Sequence, residues 1–365
     1  MSRSALVALA LCLVAGCHTD AFDAPPQDIG PISSGADVQL TFNPQQDYWP
    51  TWTEDGAGIL YAYVDAAHVG QRCVGLLPAA GGTQQWNLCD TRFVHHDSSS
   101  SFAGYALGSD GRLLYTEAVS HTGSGNLSPV STVLWLADSA APFARTALLS
   151  LPFHLNDTAY SVLTDIAWTG PTTFVALAQD FSLNSELTPP CNFVEDTTFR
   201  TAGLVVTGTI VNGQAVMQAV PGTGGAAGYS LAEGGASVVF TLANDLRLLK
   251  VPLSGGAPVG VASIPGGSGA LLLGVSCKGV LCVVATDPVT GPCVNYGGGS
   301  KQLVVASITT GVTQILLSQS APLVVPKVSP VSADVVVQVG GSLGHLQTFL
   351  NPTDGNVHLL RHFLQ

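Results

Sequence analysis

Beyond residue 36 the apolar positions fall in short runs: Ile59-Leu60-Tyr61-Ala62-Tyr63-Val64, Leu113-Leu114-Tyr115-Thr116, Val238-Val239-Phe240-Thr241 and Val335-Val336-Val337. Gly, Pro, Asn or Asp interrupts them. Runs of this length, rich in β-branched and aromatic residues and bounded by turn formers, read as strands. The 41 glycines and 22 prolines fit the same all-β reading.

The strands recur as a unit. Pro50-Thr51-Trp52-Thr53-Glu54-Asp55-Gly56 leads into Ile59–Val64, and Tyr105-Ala106-Leu107-Gly108-Ser109-Asp110-Gly111 leads into Leu113–Thr116. Asp-Gly suits a tight hairpin because glycine accepts a positive φ. Weaker copies stand at Ile166–Gly170 with Phe174–Leu177, Tyr229–Gly234 with Val238–Thr241, Val275–Gly279 with Leu281–Val284, and Pro326–Pro330 with Val335–Val337. Two more strand candidates follow each hairpin, such as Val74–Leu77 and Gln84–Asn87 around Gly81-Gly82, or Leu246–Val251 and Pro258–Ser263 around Gly255-Gly256. The period of roughly 45 to 65 residues suits four-stranded propeller blades. Six units predict a six-bladed β-propeller, since an open row of sheets would leave its edges bare. Val38–Phe42 precedes the first complete unit and is expected to lock the ring as an outer strand of the last blade. Val357–His362 is a competing fourth strand for the same place.

The first two units resemble the repeats of the periplasmic TolB propellers: a Pro, an aromatic, Ser or Thr, Asp-Gly, then an Ile/Leu-Tyr strand. Pro50, Trp52, Thr53, Asp55, Gly56, Leu60 and Tyr61 match this pattern, and Ser109, Asp110, Gly111, Leu114 and Tyr115 match it in part. Units three to six lose the Asp-Gly. Too few residues precede the repeats for the separate N-terminal domain of TolB, so its role in envelope integrity is not carried over.

A basic start (Arg3) and the apolar run Ala5–Leu13 have the layout of an export signal. The run is too short to span a bilayer, which takes roughly 20 residues. Leu13-Val14-Ala15-Gly16-Cys17 resembles a bacterial lipobox. The resemblance implies removal of residues 1–16, lipidation of Cys17 and a membrane anchor at the cell envelope. In such lipoproteins an Asp after the cysteine favours inner-membrane retention; His18 stands there instead, which points to the outer membrane. Residues 17–35 are rich in Pro, Asp and Ser and read as a disordered tether, with the propeller over 36–365.

Formal net charge is -12 and charged residues make up 10% of the chain. No basic patch is available to neutralise phosphates, so nucleic acid is not an expected partner. Mean hydropathy is +0.37. No run after Cys17 reaches the ~18 apolar residues of a membrane span. The expected partners are the membrane, through the lipid, and an envelope protein or small ligand.

Of the 8 cysteines, Cys12 lies in the leader and Cys17 at the anchor. The rest suggest disulfides in an exported chain. Cys73 and Cys89 lie symmetrically about Gly81, and Cys277 and Cys282 flank the turn of the fifth hairpin. Opposed residues of an antiparallel pair are close enough for a bridge. Cys191 and Cys293 sit in the long inserts of units three and five, which a propeller brings to one face, so a bridge between them is expected too.

That face collects the other inserts, expected over Asp65–Arg72, Glu117–Ser131 and Gly340–Gly344, and the links between blades at Pro44–Tyr48, Thr91–Ser101 and His154–Asp157. Candidate binding groups around the central opening are Tyr48, Trp49, His68, His95, His96, Asp97, His121, Asn295 and Tyr296.

Other motifs are weaker. Gly340-Gly341-Ser342-Leu343-Gly344 matches G-x-S-x-G, but that elbow needs a strand, a turn and a helix, whereas Val335–Val339 and His345–Leu350 both read as strands. His95-His96-Asp97 lacks a spaced third ligand, and no Cys-x-x-Cys pair exists. His358 and His362 would lie roughly 13 Å apart on a strand, too far to share an ion. Trp52 and Trp168 occupy equivalent places and are expected to pack between blades. No cofactor is expected, and no catalytic set emerges. A binding or scaffolding propeller is the first reading. An envelope hydrolase or lyase acting on glycan or peptide at the central opening is the alternative.

Overall fold

The computed structural model describes residues 37–41, 47–64, 72–89, 98–121, 131–155, 157–179, 203–242, 245–266, 271–287, 301–319, 323–339, 356–361 and 364. The expected leader, Cys17 and the tether lie outside them, as do Cys191 and Cys293. No helix among the described residues is long and apolar enough to cross a membrane.

Six four-stranded antiparallel sheets follow one another along the chain. After β1 (Asp37–Gln39), blade one is β2 (Asp47–Trp52), β3 (Gly58–Val64), β4 (Arg72–Pro78) and β5 (Trp86–Leu88). Blade two is β6 (Ser98–Leu107), β7 (Arg112–His121), β8 (Ser131–Asp138) and β9 (Ala141–Leu151). A small hairpin, β10 (Phe153–Leu155) and β11 (Thr158–Tyr160), leads into blade three: β12 (Val162–Gly170), β13 (Thr173–Gln179), β14 (Leu204–Val211) and β15 (Gln214–Ala219). Blade four is β16 (Ala226–Ala232), β17 (Ser237–Leu242), β18 (Arg247–Pro252) and β19 (Val259–Ser263). Blade five is β20 (Leu271–Lys278), β21 (Leu281–Asp287), β22 (Lys301–Ser307) and β23 (Thr313–Gln319). Blade six is β24 (Leu323–Val328), β25 (Val335–Val339) and β26 (Asn356–Leu360), completed by β1. The fold is an all-β, six-bladed propeller.

The ring closes through β1. Asp37 pairs with Leu360, Val38 with Leu359 and Gln39 with His358. Leu40 N–H donates to Val357 O at 2.7 Å, and Val357 N–H donates to Thr41 Oγ1 at 2.9 Å. The partner of β25 is Asn356–Leu360, with Val336 opposite Leu359, and not His345–Leu350. The last connection therefore runs over 340–355, longer than Gly340–Gly344. In blade two, Ser98–Ser101 and Glu117–His121 belong to paired strands rather than loops, because β6 and β7 stay in register out to Ser98 opposite His121.

Blades meet face to face, and each of the six junctions has its own apolar cluster. Leu60, Val74 and Tyr115 fill the first junction, Leu114, Leu163 and Trp168 the second, and Ile59, Val336 and Leu359 the last. Full burial of such a side chain contributes about 1.5–3 kcal/mol. Gly56 and Gly111 hold φ of 68° and 85° in the two Asp-Gly turns. Gly208 lies under the ring of Phe174, where a Cβ would come within 2.1 Å of Cζ.

Two disulfides join neighbouring strands. Cys73 bonds to Cys89 with Cα atoms 4.6 Å apart, and Cys277 bonds to Cys282 with Cα atoms 4.0 Å apart. Antiparallel register makes both possible, since Cys277 is directly opposite Cys282 and Val74 opposite Leu88.

Candidate functional site

The first strand of every blade lines the central shaft, and all six deviate from regular pairing in the same way. Each first strand gains one residue on its partner near the same place: at 49–50 in β2, at 103 in β6, at 165–166 in β12 (which gains another at 169), at 227 in β16, at 273–274 in β20 and at 325–326 in β24. A bulge of this kind bends a strand and redirects a side chain. Trp49, Asp165 and Val325 take φ of 53°, 48° and 49° there. Asp tolerates the left-handed region; a β-branched valine does not, so the surrounding ring holds Val325 in place.

A closed circuit of hydrogen bonds surrounds the shaft. Trp52 Nε1–H of blade one donates to Lys327 O of blade six at 2.9 Å. Tyr105 Oη–H of blade two donates to Trp49 O at 2.6 Å. Trp168 Nε1–H of blade three donates to Ala106 O at 3.3 Å, and Tyr229 Oη–H of blade four donates to Asp165 O at 2.6 Å. Cys277 N–H of blade five donates to Ser230 Oγ at 2.8 Å, and Val328 N–H of blade six donates to Ser276 Oγ at 2.9 Å. Every blade is thus tied to the one before it.

A contact crosses the shaft. Lys327 Nζ of blade six lies 2.7 Å from Asp165 Oδ1 of blade three, the blade opposite. The side chains keep 17% and 29% of their exposure, so the pair is reachable by solvent. Asp165 is fixed twice, its carboxylate by Lys327 and its carbonyl by Tyr229. Burial, and then the Asp165 carboxylate, push the Tyr229 phenol well above its ordinary range. Sequence reasoning passed over this pair. Its signal was a charge inside an apolar first strand of a chain that has few charges.

Blade two holds a second ion pair, more buried than the first. Arg145 Nη1 is 2.8 Å from Glu117 Oε2, with the side chains 7% and 3% exposed. The guanidinium also donates to Tyr115 Oη at 2.9 Å and lies 4.0 Å over the Trp135 ring. Both carboxylate and cation are consumed in packing blade two together.

The two ends of the shaft differ. On one end, the turn face, hairpins close in short spans such as 108–111, 171–172, 212–213 and 279–280. On the other, the insert face, the strand ends are joined by 65–71, 122–130, 180–203, 288–300 and 340–355. Of the expected binding groups, Trp49 is half-buried in β2. It packs against the cluster between blades one and two rather than standing on the rim. Tyr48 is in the same strand, and His121 ends β7 opposite Ser98. His68, His95, His96, Asp97, Asn295 and Tyr296 lie outside the described residues. Trp52 and Trp168 sit between blades, as their equivalent positions predict. Among the described residues no three His, Cys, Asp or Glu gather to hold a metal ion.

No family model and no curated protein sequence matches the chain. Solved structures do. A gluconolactonase from Xanthomonas campestris superposes with a TM-score of 0.52 at 13% identity, covering 89% of this chain and 89% of that one. TolB from Acinetobacter baumannii gives a TM-score of 0.48 at 12% identity, over 84% of this chain and 64% of that one. A calcium-binding regucalcin from Agrobacterium tumefaciens gives 0.47 at 15% identity, over 91% and 95%. At these identities the likeness is one of fold: this chain is built as a β-propeller.

Proposed function

We propose that the chain is a lipid-anchored envelope propeller whose insert face binds a protein or a small ligand, acting as a scaffold. The observation that carries the reading is the contrast between the two ends of the shaft: short turns on one, long connections on the other. Variable loops on a rigid frame are where binding residues concentrate. The closed circuit of inter-blade bonds supplies that frame. The lipobox at Leu13–Cys17 supports the anchor. Acyl chains contribute roughly 0.8 kcal/mol per buried CH₂, so more than one makes attachment firm.

A hydrolase or lyase with its site at the central opening is the second reading. The solvent-reachable Lys327–Asp165 pair favours it, since it holds an ammonium and a carboxylate side by side in the shaft.

Crosslinking in cells that carry the tagged, anchored protein tests the first reading, with mass spectrometry of what co-purifies. A reproducible envelope partner whose capture is lost on shortening 288–300 or 340–355 supports the scaffold. Absence of any partner, where a known envelope complex is recovered, favours the second reading and substrate screening with Lys327→Met as the control. The anchor has its own test. Cys17→Ala is expected to move the protein to the soluble fraction, and a mutant that stays on the membrane refutes the lipid.

A further inference from the structure

We infer that the turn face of blades three to six is the surface that rests on the lipid bilayer to which Cys17 tethers the chain. This rests on the proposed anchor and adds an orientation to it. Strand direction is the first argument. Asp37, where β1 begins, pairs with Leu360, the turn-face end of β26. Arg361, one residue on, marks that end: its Nη2 donates to Ala79 O in a blade-one turn at 2.9 Å, and its Nη1 lies 3.0 Å from Asp334 Oδ2 in a blade-six turn. The chain coming from Cys17 therefore joins the propeller at the turn face. Residues 18–36 reach at most about 65 Å when fully extended, so the tether enters from that face and keeps it within this distance of the bilayer.

Exposed apolar residues give the second argument. Among the described residues, Val259, Val312 and Val331 are 62%, 65% and 65% exposed. Val259 opens β19, Val312 lies in the β22–β23 turn and Val331 in the β24–β25 turn, all at the turn face. Val280 in the β20–β21 turn and Val211 at the end of β14 are exposed at the same end. The two remaining large exposed apolar residues, Val216 and Ile315, are each the third residue of an outer strand counted from that face.

Charge is the third. The exposed acids Glu54, Asp55, Asp110 and Asp138 lie at the turn face of blades one and two, where Arg112 pairs with Asp110 and leaves the sector net acidic. On blades three to six the turn-face acids are paired: Glu233 Oε1 is 2.9 Å from Lys250 Nζ and Asp334 Oδ2 is 3.0 Å from Arg361 Nη1, while Lys278 Nζ donates to the neutral Ser332 O at 2.6 Å and keeps its positive charge. One sector is apolar and has its acids paired; the other is acidic and is repelled by anionic headgroups. Separate valine tips on several loops do not make the contiguous core of a protein interface. They suit a fluid, planar partner that each tip enters shallowly. The tether keeps the local concentration high, so weak contacts suffice.

The test uses the full lipidated protein purified from membranes and reconstituted into phosphatidylcholine vesicles containing phosphatidylglycerol. An environment-sensitive label is placed singly by Val280→Cys, Val312→Cys or Val331→Cys, and for comparison by Asp110→Cys or Asp138→Cys. The unsubstituted protein is carried through labelling as a blank. Nitroxide-bearing lipids then quench whatever touches the bilayer. The expected result is co-flotation with vesicles and about threefold or stronger quenching at the three valine positions than at the two acidic ones, as for groups seated at the headgroup boundary. Co-flotation with uniform quenching refutes the docking face alone. Failure to co-float refutes the anchor, and the inference with it. Label protection that rises with protein density but ignores the nitroxide lipid identifies a second copy as the occupant and overturns the proposal.

Discussion

The junctions between blades are of two kinds. Four are tied by a large aromatic that reaches a carbonyl of the preceding blade: Trp52, Tyr105, Trp168 and Tyr229. The two that join blades four, five and six are tied by Ser230 and Ser276, small hydroxyls that receive a backbone N–H. The geometric demand is the same, since each bulged first strand must be pinned to its neighbour. An aromatic meets it with a hydrogen bond and a large buried surface together. A serine supplies only the bond, and aliphatic residues such as Val275, Val284 and Val304 fill the space around it. The direction of the bond reverses as well, from side-chain donor to side-chain acceptor.

Trp168→Ala breaks this comparison hardest. It removes a buried aromatic with its bond to Ala106, and is expected to destabilise by about 3–5 kcal/mol in urea unfolding. Ser276→Ala removes almost no volume but strands the buried N–H of Val328, at a cost of about 1–3 kcal/mol. Equal losses in the two mutants would mean that the buried aromatic surface adds nothing to the bond, and the two kinds of junction would be one.

Alkaline titration probes the tyrosines. Burial first, and then a nearby carboxylate, raise the phenols of Tyr61 (beside Asp47) and Tyr229 (beside Asp165) in the folded chain. The unfolded chain releases these protons near pH 10 while the folded chain keeps them. Stability is therefore full below that pH and falls above it, by about 1.4 kcal/mol per pH unit per phenol. Tyr229→Phe should make the decline shallower, measured by unfolding at pH 9 to 11.5. The smallest effect is expected from Lys327→Met. The cross-shaft pair is partly solvated, so its loss should cost about 1 kcal/mol or less.

The same division explains what could be read in advance. Trp52 and Trp168 mark equivalent rungs because an indole between blades is hard to replace, and the Asp-Gly turns make units one and two stand out along the chain. Serine and valine are common everywhere, and units four to six show only as apolar runs between turns. The bridges Cys73–Cys89 and Cys277–Cys282 were legible because symmetry about a turn fixes antiparallel register. The closing strand was legible too, since Val38–Phe42 was expected to lock the last blade and β1 does so. The partner of β25 was not: His345–Leu350 and Val357–Leu360 are both apolar, and pairing with Val335–Val339 decides between them. Lys327 and Asp165 are 162 residues apart, and only closure of the ring brings opposite blades together.

Closure also sets an order in time. Among the described strands, β1 is synthesised first and its partner β26 last. At ordinary ribosomal rates the interval is about 15 to 65 s. Through that wait β1 has no template to pair with. Three residues long, with Asp37 and Gln39 on either side of Val38, it offers little for a wrong sheet to recruit. Closing the ring thus joins the earliest-made and the latest-made of the described strands, and a propeller cut short before residue 356 would leave β1 without a partner.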